Sequence, residues 1–404
     1  MRYFLKQIKF VKKKDIWACF VFLAALPIAW IYKFKRKHLW LVCERSDEAR
    51  DNGYWFYKYI KEKHPEIDCV YAIKKTSSDY HKLTKLGGEI IEFGSFKHWV
   101  YYLTAELNIS SQKEGKPNAA VCHFLEIYGI WKNKRVYLKH GIVCNDLKWH
   151  YYDVMKTWLY ICSTKKEYDY CKEKFGYSDD GIVLTGLPRY DNLNNDLTDK
   201  KVVFIMPTRR EWLARPIKDY KIYDNVFDFE DTEYFKSWKD VLEDPKFNRC
   251  IEENGLEVVF FLHPGMQKYS QSFERIRTKA TIKCNSDVDL QHMLKKAGML
   301  ITDYSSICFD FAYMKKPLLY YQFDYDKFRK GQYQEGYFSY KEDGFGRVCV
   351  NSADLVDEFC RGVELNMEMQ EEYLNRVNGF FKFFDNNNCH RVYCKIIEKL
   401  KGKE

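Results

Sequence analysis

From residue 39 onward the chain alternates short apolar runs with stretches in which apolar positions recur every three to four residues. LWLVCE (39–44), DCVYAIK (68–74), GEIIEF (88–93), ELNISS (106–111), RVYLKHG (135–141) and WLYICS (158–163) read as strands. DNGYWFYKYIKEKH and SFKHWVYYLTA read as helices between them. Strand, helix, strand at this spacing predicts a parallel sheet covered on both faces. A polar stretch, NNDLTDKK (194–201), interrupts the pattern, and a second series follows: VVFIMPT (202–208), a helix near 234–254, LEVVFFLHP (256–264), ATIKCN, GMLITDYSS (298–306) and PLLYYQF. The expectation is an α/β protein of two doubly wound Rossmann-type domains, 39–194 and 195–404, facing a central cleft lined by the C-terminal ends of strands.

Residues 1–38 break this pattern. They hold ten Lys and Arg against one acid, Asp15, which equals the net charge of +9 of the whole 404-residue chain and leaves the rest formally neutral. A nucleic-acid binder would carry its basic residues on the folded domain, so that class is disfavoured. Inside the basic segment lie seventeen uncharged residues, IWACFVFLAALPIAWIY (16–32), at the short limit for a membrane span, interrupted by Pro27 and basic on both flanks. No small-residue cleavage site follows. This predicts an N-terminal membrane-anchoring segment (1–38), peripheral or re-entrant on the cytoplasmic face against an anionic membrane surface, with a single span as the alternative. Fourteen cysteines, scattered and without C-x-x-C or zinc spacing, read as reduced thiols.

Chemistry concentrates where strands end. In MLITDYSS, Ser305 and Ser306 fall at the start of a helix, where backbone N–H groups lack partners, so the pair serves either as simple caps or as a phosphate cradle. Asp310, the single charge in the apolar run that follows, lies one turn on, suited to a sugar or polyol hydroxyl or to a buried hydrogen bond. His140 and His263 each end an apolar strand directly before a Gly or Pro turn, as proton acceptors and phosphate partners or as turn histidines satisfied by backbone. Other histidines, among them His64, His81 and His98, fall in charged helical stretches and are expected in solvent. PTRR (207–210) offers the guanidiniums of Arg209 and Arg210 for bidentate phosphate recognition.

Taken in order, His140-Gly141, TGLPRYD (185–191), PTRREW (207–212), His263-Pro264 and LITDYSSICFDFAYMKKP (300–317) resemble the CDP-glycerol glycerophosphotransferases, the teichoic acid primases and polymerases and related capsule enzymes. The resemblance implies a GT-B fold and a CDP-glycerol or related CDP-polyol donor. It also implies transfer of glycerol phosphate to a hydroxyl of a membrane-linked glycan or polyol-phosphate acceptor, releasing CMP. By the same resemblance His140 is the base, Gly141 allows close backbone approach, and Arg189, Thr208, Arg209 and His263 contact the donor. Ser305 and Ser306 cradle phosphate and Asp310 binds a donor hydroxyl. Lys139 and Ile142-Val143-Cys144 depart from the usual flanks of His-Gly, and Thr208-Arg209-Arg210 departs from the usual Thr-Trp-Arg, which leaves acceptor identity and the choice of glycerol over ribitol open. No cofactor is called for with certainty; Mg²⁺ held by carboxylates such as Asp303 with the substrate stays open. Two other readings remain: a GT-B glycosyltransferase using a nucleotide sugar, and a non-catalytic membrane-bound nucleotide-binding module.

Overall fold

The computed structural model describes residues 12–194, 197–214, 228–284 and 288–402. Arg2, Lys6 and Lys9 of the basic N-terminus, and Asn195 and Asp196 of the polar stretch, lie outside the described residues. The chain divides into two compact units, the first built from 1–142, 148–192 and 385–404, the second from 143–147 and 193–384.

The first unit contains β1 (Trp40–Cys43), β2 (Cys69–Ile73), β3 (Glu89–Glu92), β4 (Leu107–Ser110) and β5 (Arg135–Tyr137). After β6 (Asn145–Asp146), which belongs to the second unit, come β7 (Leu159–Cys162) and β8 (Ile182–Leu184). The sheet order is β3-β2-β1-β4-β5-β7-β8, and every pairing is parallel. Alternation within β1 shows why both faces are covered. Trp40 and Val42 enter one core with Phe56 and Ile60, whereas Leu41 and Cys43 enter the other with Trp99 and Leu103.

The second unit's sheet comprises β9 (Asp199–Ile205), β10 (Glu257–Phe261), β11 (Thr281–Lys283), β12 (Ala297–Thr302), β13 (Leu318–Tyr321) and β15 (Gly346–Cys349), in the order β11-β10-β9-β12-β13-β15 and again all parallel. β14 (Gln334–Glu335) pairs antiparallel with β6. The helix expected near 234–254 is two, Glu233–Leu242 and Pro245–Asn254. Proline lacks an N–H to continue the first, and Asp244 caps the second by accepting from the N–H groups of Lys246 and Phe247.

Three expectations are corrected. The last twenty residues belong to the first unit, not to 195–404. Asp191 accepts from Asn388 N, Asn388 Nδ2 and Cys389 N at 2.7–2.9 Å, capping helix Asn388–Lys401, whose Val392 and Ile396 join the core of Trp40 and Phe56. The apolar N-terminal run is part of helix Lys13–Lys35, and it is not a free-standing segment. Ala18, Phe22, Ala25 and Ala29 pack on helix Phe96–Thr104, and Arg36 binds Asp68, Glu89 and Tyr101. His98 is fully buried, its Nδ1 accepting from Gly94 N at 3.0 Å, and burial holds its imidazole down to about 3.

Candidate functional site

In doubly wound sheets the loops at the C-terminal ends of the two central strands diverge and leave room for ligand. In the first unit those strands are β1 and β4. Just beyond β1, Glu44 is buried and accepts from six donors: the N–H groups of Arg50, Asp51, Gly53 and Tyr54, the Tyr71 hydroxyl and the Ser111 hydroxyl. Burial and the neighbouring Asp51 charge push its carboxyl up to about 7 against the pull of those bonds. Gly53 is required here, since a Cβ would lie 2.8 Å from the Glu44 side chain.

Asp51 caps helix Asn52–Lys63 and gathers the rest of the cluster. Its Oδ1 accepts from Asn52 N at 2.8 Å and from Arg189 Nη1 at 2.7 Å. Its Oδ2 lies 2.6 Å from His140 Nδ1 and accepts from Gln112 Nε2 at 3.1 Å. Burial would raise the Asp51 carboxyl, but His140 and Arg189 outweigh it and hold the group down to about 2. The His140 side chain is 62% exposed, and among the described residues its ring hydrogen bonds are made at Nδ1. Lys139, just before it, takes a left-handed backbone (φ 62°) while its ammonium pairs with Glu167 in full burial and its carbonyl accepts from Asn52 Nδ2 at 2.8 Å. The chain continues through buried Gly141 and Ile142 before Val143 enters the second unit.

The second unit's switch point lies between β9 and β12. Asp303 accepts from Thr208 N and Tyr304 N through one oxygen and from Arg210 Nη1 through the other. Arg210 also makes a fork on Asp324, at 2.7 and 3.0 Å, and binds the Thr208 carbonyl. With 0% exposure, Arg210 cannot present its guanidinium to a phosphate, so the expected substrate contact is corrected to a structural one. Asp303 is likewise spent on protein donors and does not fit as a Mg²⁺ ligand. Among the described residues no three His, Cys, Asp or Glu converge as a metal-ligand set.

The neighbours of this buried frame are differently used. Arg209 has no ion-pair partner among the described residues, and its side chain lies beside Gly265 and His263. His263 Nδ1 accepts from Gly265 N at 3.0 Å, which puts the proton of the neutral ring on Nε2. The Thr208 hydroxyl is buried without a hydrogen-bond partner among the described residues. Ser306 precedes helix Ile307–Tyr313 but makes no capping bond with its side chain, and Ser305 Oγ only reaches Ile307 N at 3.5 Å. Simple capping therefore does not account for Ser306. Asp310 is buried in the first turn of that helix.

The structure thus gathers Thr208, Arg209 and His263 with the serines around one switch point and assigns Arg189 elsewhere. Arg189 lies in the first unit, bonded to Asp51 and to the His140 carbonyl, a correction to its expected donor contact. Asp51, Gln112 and Glu44 escaped the sequence reading. Their one signal was position: Glu44 and Gln112 fall just after the strands that became β1 and β4, and Asp51 immediately precedes the helical stretch that follows β1.

Comparison with solved structures shows a GT-B class of fold. The wall teichoic acid polymerase TagF matches with a TM-score of 0.61 at 16% identity, over 91% of this chain and 90% of that one. The UDP-GlcNAc 2-epimerase of Neisseria meningitidis matches with 0.53 at 10% identity, over 89% and 100%. The chain belongs to the CDP-glycerol:poly(glycerophosphate) glycerophosphotransferase family, which it matches over residues 24–398. Among curated relatives, the minor teichoic acid biosynthesis protein GgaB of Bacillus subtilis is 32% identical over 92% of this chain and 41% of its own length. The teichoic acid poly(glycerol phosphate) polymerase of Staphylococcus epidermidis is 21% identical over 86% and 48%. The chain therefore spans less than half the length of these two relatives.

Proposed function

We propose that the protein transfers a glycerol-phosphate unit from CDP-glycerol to a hydroxyl of a membrane-linked acceptor in teichoic acid or capsule assembly. Beyond family membership, one observation supports this reading: the second unit's switch point carries a guanidinium with no ion-pair partner among the described residues, a histidine whose neutral ring has its proton on Nε2, and a Ser306 hydroxyl that makes no capping bond. These suit a diphosphate. Helix Ile307–Tyr313 is only seven residues long, so its dipole adds little and the hydroxyls carry the contact. In this reading Asp310 accepts from a hydroxyl of the donor. The acceptor O–H gives its proton to His140, and its oxygen bonds to the phosphorus bearing glycerol. The bond from that phosphorus to the bridging oxygen breaks, and the electron pair leaves with CMP. His140→Ala in a folded variant should lower CMP release by about 10²–10⁴-fold while donor affinity holds. A panel of CDP-polyols and nucleotide sugars with native membranes tests the donor, and turnover of UDP-sugars in place of CDP-glycerol would overturn it.

Helix Lys13–Lys35 supports attachment at the cytoplasmic membrane surface. By length and composition it is apolar enough to span a membrane, yet one stripe packs on its own unit while Trp17, Phe20, Leu23, Trp30 and Phe34 are exposed between basic ends. Replacing Trp17, Phe20, Trp30 and Phe34 by Ser should abolish sedimentation with anionic liposomes without unfolding the protein. Persistent pelleting would place the anchor elsewhere. Deleting 1–38 is a poorer test, because it uncovers Trp99 and Val100.

A further inference from the structure

We propose that Asp51 is the positioning residue of the His140 base, a role that rests on the reading of His140 given above. A carboxylate held ionised can only accept, so at 2.6 Å from His140 Nδ1 it requires the proton on Nδ1. Gln112 Nε2, 2.9 Å from the same nitrogen, then finds no lone pair there and donates to Asp51 Oδ2 instead. The lone pair of the neutral ring is thereby confined to Nε2, the nitrogen with no contact to these residues. When Nε2 takes the proton of an acceptor hydroxyl, the Nδ1 proton stays in place and the new positive charge lies against Asp51.

The surroundings keep Asp51 in that state. Asn52 N–H and the Arg189 guanidinium occupy its other oxygen, and Arg189 is itself fixed by the His140 carbonyl. The neighbouring Glu44 carboxyl turns its oxygens to six donors of its own. The left-handed Lys139 and its carbonyl bond to Asn52 Nδ2 set the direction in which the His140 side chain leaves the backbone. Asp51, Asn52 and Glu44 follow β1, Gln112 follows β4, Lys139 precedes His140 after β5 and Arg189 follows β8, so the histidine is oriented by several loops of the sheet and not by its own turn alone.

Nitrogen NMR of the full chain labelled with ¹⁵N-histidine reads the tautomer directly, His140 being assigned by the signal lost in His140→Gln. At a pH where the ring is neutral, the Nδ1–H form is expected, and an Nε2–H ring would overturn the proposal. In Asp51→Asn the amide can still cap the helix but can also donate to Nδ1, so the tautomer should shift toward Nε2–H. CMP release should fall roughly 10²-fold or more with donor affinity changed less than about 2-fold. A folded Asp51→Asn variant that kept both its tautomer and its turnover would overturn the proposal. The wild-type spectrum decides if that variant does not fold. An Nδ1–H ring in a protein that turns over no CDP-polyol would sink the transferase reading and leave the positioning of His140 standing.

Discussion

The two switch points share a topology and differ in what they do with charge. In the first unit the chain answers itself: Glu44 takes four backbone N–H groups at the start of helix Asn52–Lys63, and Asp51 is matched by Arg189 and His140. A phosphate would find these donors already used and two carboxylates nearby. In the second unit the single cation Arg210 binds both Asp303 and Asp324 beneath the surface, whereas Arg209 has no ion pair, Thr208 Oγ1 no hydrogen bond and the Ser306 side chain no capping bond among the described residues. The contrast shows that a doubly wound sheet supplies a place for a ligand and the loops decide its sign. One place holds a histidine paired with a carboxylate, and the other an arginine with no ion-pair partner among the described residues.

The comparison breaks hardest at the buried frame. Arg210→Ala should cost about 3–5 kcal/mol by stranding two buried carboxylates, seen as a large drop in thermal midpoint. A loss below about 1 kcal/mol would mean that the frame does not depend on the pair. Ser305→Ala with Ser306→Ala should weaken CDP-donor binding by about 1–3 kcal/mol in calorimetry and leave the fold intact. Unchanged affinity would remove the serines from the anion site.

The first unit's charge pairing has its own signature. Because the Asp51 carboxyl is depressed to about 2, its contribution is complete above the usual carboxylate range near pH 4 and is lost as pH falls toward 2. Wild type should therefore lose about 2 kcal/mol relative to Asp51→Asn across that window, read from paired denaturation curves. Parallel curves would show that Asp51 is not held by charge. The smallest change in stability is expected at Arg209→Ala, within about 0.5 kcal/mol, with donor binding weakened all the same. A large destabilisation there would erase the distinction between the two arginines.

Much of the scaffold was legible along the chain because strand and helix periodicities are local. The runs that became β1, β2, β4, β7, β10 and β12 were readable within a residue or two, and so was the position of His140 and His263 at strand ends. β8 and β15 were not. Each is only three or four residues long, and in each some positions are not buried, so the apolar run is too short to stand out. TGLPRYD shows a different limit. Gly186 is left-handed against Asn388, Arg189 holds Asp51, and Asp191 caps a helix 197 residues away, so a motif read as donor-binding is a clasp of the first unit.

By itself the sequence determined the alternation of elements, the two series of strands, the basic and apolar N-terminus and the residue types available at each strand end. Tertiary structure alone decided which of two adjacent arginines is buried in an ion-pair frame and which is left outside it, since neighbouring side chains leave the backbone in different directions. It alone brought Asp51 to His140 across 89 residues and seated one stripe of helix Lys13–Lys35 on its unit. Burial pattern is written locally because each residue meets core or water through its own element. The partner of a charge is not, because it depends on which loops the sheet order brings to the same end.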